Sequence, residues 1–155
     1  MFKKLVAVED TLLSEEALKK LSSYAGRVEL YYERPGNDAE TARRIGDADA
    51  VLVSFKTPIS KQVLEACPNI RYIGMCCTLY EQACNVDLQE ACRRGITVLG
   101  VRDYGDEGVV EYAISELVRF LHGFGDRQWK ADKYELNRLR IGVIGLGRTG
   151  RMLAD

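Results

Sequence analysis

Through the first hundred residues, short uninterrupted apolar runs alternate with helical segments that carry their own start and stop signals. The runs are Lys4–Glu9, Arg27–Tyr32, Asp49–Ser54, Arg71–Met75 and Ile96–Leu99. None has the polar–apolar alternation of a strand with one wet face, so each reads as a strand buried on both sides. Between them, Ser14 is an expected N-cap, with Glu15 and Glu16 in the first turn offsetting the helix dipole. That helix is expected to run to about Tyr24 and to end at Gly26, through a residue tolerant of positive φ. Further helices are expected over Asn37–Gly46, opened by Asn37 or Asp38, over Ser60–Ala66 with Pro68 barring its continuation, and over Asp87–Arg94 capped by Gly95. Strand and helix in strict alternation predict an α/β fold, a parallel sheet with helices on both faces.

The balance of the chain narrows its partners. Its 155 residues carry 22 basic and 23 acidic side chains, net charge −1, with 46% hydrophobic residues. That length buries roughly two-thirds of the unfolded surface, so a core forms without disulfide staples. Such a balance lacks the basic footprint of a nucleic-acid or anionic-membrane binder. No apolar run reaches the about 20 residues of a spanning helix, and the apolar part of the N-terminus is too short for a signal peptide. No nucleic-acid or membrane partner is expected.

Five cysteines are present: Cys67, Cys76, Cys77, Cys84 and Cys92. An odd number with one adjacent pair argues for a reducing, cytoplasmic setting over a secreted disulfide framework. Structural zinc favours pairs about two to four residues apart. The last four here are adjacent, then seven, then eight apart, which reads as ordinary thiols rather than a metal site.

Past residue 100 the pattern changes. A long helix, begun by Asp106 or Glu107, is expected over Glu107–Phe120, its apolar positions spanning more than a narrow stripe, so that it packs on more than one neighbour. A polar connector, Gly123–Asn137, carries the single tryptophan, Trp129. Then an expected strand, Leu139–Ile144, leads into Gly145-Leu146-Gly147-Arg148-Thr149-Gly150 and an expected helix over Arg148–Asp155. Gly145 would allow the tight turn, Gly147 the approach of a pyrophosphate, and Gly150 close packing of helix on strand. A glycine triplet is weak evidence alone, but a strand before it and a helix after it form the context of a dinucleotide-binding fingerprint. A glycine-rich packing turn is the alternative. The acidic partner for the ribose would stand about 20 residues further on, outside this sequence, and one strand–helix unit cannot enclose a cofactor.

The segments Ala66–Gly74, Asn85–Leu88, Arg94–Val98, Tyr104–Ala113 and Arg140–Gly150, in that order, resemble the N-terminal half of the D-isomer-specific 2-hydroxyacid dehydrogenases. The resemblance implies a flavodoxin-like substrate domain over residues 1–103, an interdomain or dimerisation helix and connector over 104–137, and the incomplete start of a Rossmann domain over 138–155. It implies hydride transfer between NAD or NADP and a small 2-keto or 2-hydroxy acid, and a homodimer joined through the Glu107–Leu121 helix. Residues matching the family's substrate-binding positions are Cys77, Thr78, Leu79 and Tyr104. The loop after the fourth strand, Met75–Tyr80, lacks the family's usual glycines, and Glu81–Cys84 resembles a short insertion. Gly145, Gly147, Arg148, Thr149 and Gly150 match the cofactor-binding positions.

The family's catalytic arginine, histidine and glutamate lie beyond the glycine motif, so the resemblance supplies no catalytic residue here. His122, the single histidine, does not match the catalytic position, and Arg71 and Arg102 are assigned no role. These expectations describe a chain that is inactive alone. The alternative is a stand-alone flavodoxin-like module, binding a small acid or flavin or acting in regulation. It would call for a phosphate loop after the first strand, where Glu9–Ser14 is acidic and free of glycine. A receiver-like domain would need an aspartate ending the third strand, where Ser54-Phe55-Lys56 stands.

Overall fold

Five parallel strands, β1 (Phe2–Ala7), β2 (Ala25–Leu30), β3 (Ala50–Val53), β4 (Tyr72–Thr78) and β5 (Thr97–Val101), pair in the order β2-β1-β3-β4-β5. The helices between them are α1 (Glu15–Leu21), α2 (Asp38–Ile45), α3 (Lys61–Ala66) and α4 (Leu88–Arg93). The computed structural model describes residues 1–79, 84–102, 104–123, 125 and 134–155. These fall into two units, Met1–Arg102 and Asp103–Asp155. The first is the flavodoxin-like α/β sheet.

Each helix starts where a side chain captures an orphan amide. Ser14, Asn37, Ser60 and Asp87 accept from the N–H three residues on, as capping predicts. Gly46 and Gly95 close α2 and α4 at φ +55° and +69°, angles that favour glycine. On one face of the sheet Val6, Val8, Val51, Val53, Ile73 and Met75 pack against Ile45 of α2, Val63 and Leu64 of α3 and Ala91 of α4. On the other, Leu5, Ala7, Ala50 and Leu52 meet Leu13 and Leu21 beside and on α1. β3 and the second half of β1, Leu5–Ala7, are therefore dry on both sides. β5, an edge strand, is not: Leu99 is 56% exposed.

Other expectations shift. α1 stops at Leu21, not Tyr24, because the Ser22 and Ser23 hydroxyls donate back to the carbonyls of Lys19 and Lys20. Gly26 caps nothing; it lies in β2, where a Cβ would press on the Lys3 carbonyl at 3.3 Å. β4 extends to Thr78, so Met75–Thr78 are strand residues and not loop. The cause is β5, which supplies partners as far as Val101 through a register shift between Met75 and Thr78.

In the second unit, α5 (Asp106–His122) runs between Gly105 and Gly123, both at positive φ. No α5 residue is buried; Val109, Tyr112, Ile114 and Phe120 are exposed. A short 3₁₀ turn covers Leu136–Arg138, and α6 (Arg148–Ala154) ends the chain's helices. The strand expected over Leu139–Ile144 does not form. A parallel strand exists only by pairing, and among the described residues this segment pairs with no strand; its Ile141 and Ile144 are exposed. Tyr80, Glu81–Ala83 and Trp129 lie outside the described residues.

Candidate functional site

All five strands point the same way, so the segments leaving them gather at one edge, and the strand order reverses between β1 and β3. Ligands of open α/β sheets bind outside that switch point. Here it is occupied by protein. Glu9, two residues past β1, is 3% exposed. Its Oε1 accepts the N–H groups of Ser54 (3.1 Å) and Thr57 (3.2 Å), and its Oε2 accepts the Thr57 hydroxyl at 2.7 Å. From the far side, Asn85 Nδ2 donates to the carbonyls of Ser54 (2.8 Å) and Thr57 (2.6 Å). A parallel bridge between Ile59 and Val86 zips the two loops together. The turn is thus pinned by a carboxylate and an amide, and it projects Phe55, 62% exposed, with Lys56 5.5 Å over its ring.

Beside it, β4 delivers Cys77, Thr78 and Leu79. Thr78 and Leu79 are half-buried and Cys77 is buried. Leu79 lies so close to β5 that a Cβ on Gly100 would meet its backbone nitrogen at 2.9 Å. The Cys84 thiol packs on the Met75 sulfur at 3.5 Å and accepts the Val86 N–H at 3.4 Å. Burial, with the neighbouring Cys77 thiol adding to it, pushes the Cys76 thiol up to about 11. Burial likewise raises Cys77, followed by the proximity of Cys84 and Glu9. Raised in this way, the Cys76 and Cys77 thiols are held in the protonated form, which is a poor nucleophile. Among the described residues no group of three or more His, Cys, Asp or Glu side chains could hold a metal ion. A shallow open depression lies instead beside the ends of β1 and β2, bordered by Glu9, Leu13, Leu18, Leu30 and Tyr32.

Of the remaining predicted residues, Tyr104 is exposed in the segment before α5. It belongs to the second unit, Cys77–Leu79 to the first. Arg71 pairs with Asp49 at 2.9 Å, at the opposite edge of the sheet. His122 closes α5, where a basic group suits the helix dipole.

The glycine segment adopts a tight geometry. Gly145 sits at φ +96°, which only glycine adopts at low cost. A Cβ on Gly147 would meet nothing within 4 Å, so the approach to that backbone is open. A Cβ on Gly150 would overlap the Gly145 carbonyl oxygen, so α6 can close on the turn only with glycine there. Gly147 caps α6 without a side-chain hydrogen bond. The next residues are tied to α5: Thr149 Oγ1 donates to Asp106 at 2.8 Å, and Arg148 Nε pairs with the same carboxylate at 3.0 Å. The three glycines therefore have three separate physical reasons, and residues that bind an anion through backbone amides fit this turn.

Sequence reasoning missed Glu9, Thr57, Asn85 and Asp106. Glu9 carried a signal, a carboxylate directly ending an apolar strand run. Thr57, Asn85 and Asp106 are ordinary loop and helix-start residues whose partners are distant in sequence.

Comparisons with known proteins agree with this geometry. A family model described as "D-isomer specific 2-hydroxyacid dehydrogenase, catalytic domain" matches residues 6–149. A hydroxypyruvate reductase of Blautia hydrogenotrophica is 34% identical over 128 residues, covering 72% of this chain and 38% of that protein. The chain thus spans less than two-fifths of that relative's length. Among solved structures, an acyclic imino acid reductase in complex with NADPH and D-Arg aligns with TM-score 0.72 at 21% identity, over 97% of this chain and 51% of that one. A 3-phosphoglycerate dehydrogenase of Entamoeba histolytica with bound NAD+ aligns with TM-score 0.69 at 22% identity, over 99% and 50%. At those identities the likeness is one of fold. With 144 of its residues spanned by the family match and its glycine turn formed, the chain belongs to the D-isomer-specific 2-hydroxyacid dehydrogenases.

Proposed function

We propose that this chain supplies the substrate domain and the first cofactor-binding turn of an NAD- or NADP-dependent oxidoreductase acting on a small 2-keto or 2-hydroxy acid. In this reading residues 1–103 are the substrate domain, 104–137 the joining helix and connector, and 138–155 the start of the nucleotide domain. Cys77, Thr78, Leu79 and Tyr104 border the substrate. Gly145, Gly147, Arg148, Thr149 and Gly150 take the cofactor diphosphate. The exposed apolar residues of Glu107–Leu121 join two copies into a homodimer, and the five free thiols suit the cytoplasm.

The observation that carries the reading is the glycine turn, formed on a chain that matches the family over residues 6–149. When bound, NAD(P)H supplies the hydride. What these residues do is narrower. The turn offers amides and a helix N-terminus to an anion, and the end of β4 offers a firm edge to the substrate. Reduction of a keto group also needs an acid beside the nicotinamide, and His122 at the end of α5 does not serve as one. In this reading the 155 residues alone bind dinucleotide weakly and turn over no keto acid.

A flavodoxin-like flavin site is disfavoured by Glu9, whose carboxylate fills the switch point and would repel a phosphate. The test is a titration of NADH, NADPH and FMN into the 155-residue chain, with its mass recorded by light scattering. A dinucleotide response lost in Gly147→Ala supports the proposal. An FMN response with none to either dinucleotide would replace it with the flavin module, and a monomeric mass would remove the dimer.

A further inference from the structure

Two helix N-termini converge on one carboxylate at the glycine turn. Asp106 is the first residue of α5, and Arg148 and Thr149 are the first two of α6. One Asp106 oxygen accepts the Thr149 hydroxyl at 2.8 Å; the other holds Arg148 Nε at 3.0 Å. Glu107 stands 3.9 Å from the far end of the same guanidinium. A cation in the first turn of a helix is opposed by the helix dipole, so Arg148 would be misplaced at the start of α6 without these two acids. Asp106 itself is favourably placed, since both helix ends present positive partial charge to it.

The turn has little else to offer a ligand besides its backbone. Three of its six residues are glycine, and Leu146 is 66% exposed and apolar. Arg148 and Thr149 are the positions whose side chains can reach an anion approaching the open backbone at Gly147. A free arginine would have to give up its rotamer freedom at the moment of binding. Here that freedom is already lost to Asp106.

We infer that Asp106 is a positioning residue for the dinucleotide diphosphate: from α5 it fixes Thr149 and Arg148 at the turn before the anion arrives. The inference rests on the dinucleotide reading above and goes beyond it, since Asp106 lies outside the glycine motif and touches the cofactor only through its two clients. Its charge, balanced by Arg148, does not act as a rival anion.

The experiment compares the wild-type 155-residue chain with Asp106→Ala and Asp106→Asn. Amide NMR follows titration with NADH and, separately, with inorganic pyrophosphate; amide exchange of α6 is recorded alongside. Asp106→Ala weakens both probes at least fivefold and speeds exchange across Arg148–Ala154, while residues 1–102 are unchanged. Asp106→Asn, uncharged and with one oxygen that can serve Thr149 or Arg148 but not both, falls between wild type and Asp106→Ala. Asp106→Ala binding as tightly as wild type, or more tightly, overturns the inference while leaving the dinucleotide reading intact. Silence of the wild-type turn toward both probes overturns the dinucleotide reading first and the positioning role with it.

Discussion

The Thr57 hydroxyl donates to the buried Glu9 carboxylate at 2.7 Å, and that bond closes the crevice between the ends of β1 and β3. With two amides on the other oxygen, Glu9 satisfies three donors of one loop. Glu9→Ala leaves buried N–H groups unpaired and should cost about 3 kcal/mol, whereas Thr57→Val removes one hydrogen bond and should cost about 1 kcal/mol. Urea unfolding of both variants and of the double variant checks this. If the pair is coupled, the double variant loses less than the sum.

Gly147 and Gly150 should separate in their response to alanine. The Cβ of Gly150→Ala would overlap the Gly145 carbonyl, so α6 is pushed off the turn and its amides exchange at least tenfold faster. Gly147→Ala meets open space and should change stability by no more than about 0.5 kcal/mol, while blocking the approach of a dinucleotide. Amide exchange and NADH titration on the two variants measure both effects.

Asp49 gives the fold an acid dependence. Burial pushes its carboxyl up, but the N–H groups of Lys3 and Lys4 and the Arg71 guanidinium outweigh that and hold it below its ordinary value of 3.8. Its contribution is therefore complete above the unfolded value and is lost as pH falls through the lower folded one. Asp49→Asn should lower stability at pH 7, and the gap to wild type should narrow below pH about 4. Thermal midpoints across that range decide it; a gap that widens on acidification would contradict the assignment.

Thiol labelling should be ordered by burial and acidity. Cys92 is exposed and reacts first with a disulfide reagent at mildly alkaline pH. Cys76, half-buried with its thiol pushed up to about 11, and the buried Cys67 and Cys77 react only as the sheet opens. Mass spectrometry after timed quenching identifies the order. Early modification of Cys76 or Cys77 would mean that the end of β4 is looser than described.

How much of this was legible in the sequence depends on the range of the forces involved. The Ser14 cap and the Gly95 stop are local chemistry and stood where the residues implied; of Asn37 and Asp38 it is Asn37 that caps α2, and the other helices start within a residue of Ser60 and Asp87. The ends of strands were not local. β4 gained Cys76–Thr78 only because β5 offered partners through a shifted register, and Leu139–Ile144 formed no strand because it met none. Gly26 misled for a related reason: serine hydroxyls ended α1 first. In the site, the glycine spacing declared itself through the strain it relieves. Glu9–Thr57 and Asp106–Thr149 join residues 48 and 43 apart, a distance that no spacing rule spans.

The central claim is that Gly145–Gly150 is a dinucleotide-binding turn, and amide NMR of the 155-residue chain during NADH titration tests it most directly. The account predicts saturable shifts at the amides of residues 145–150 in the millimolar range, equivalent to about −4 kcal/mol, and their disappearance in Gly147→Ala. Shifts confined to the loops around Ser54 and Leu79, or no shift at the turn, would contradict it.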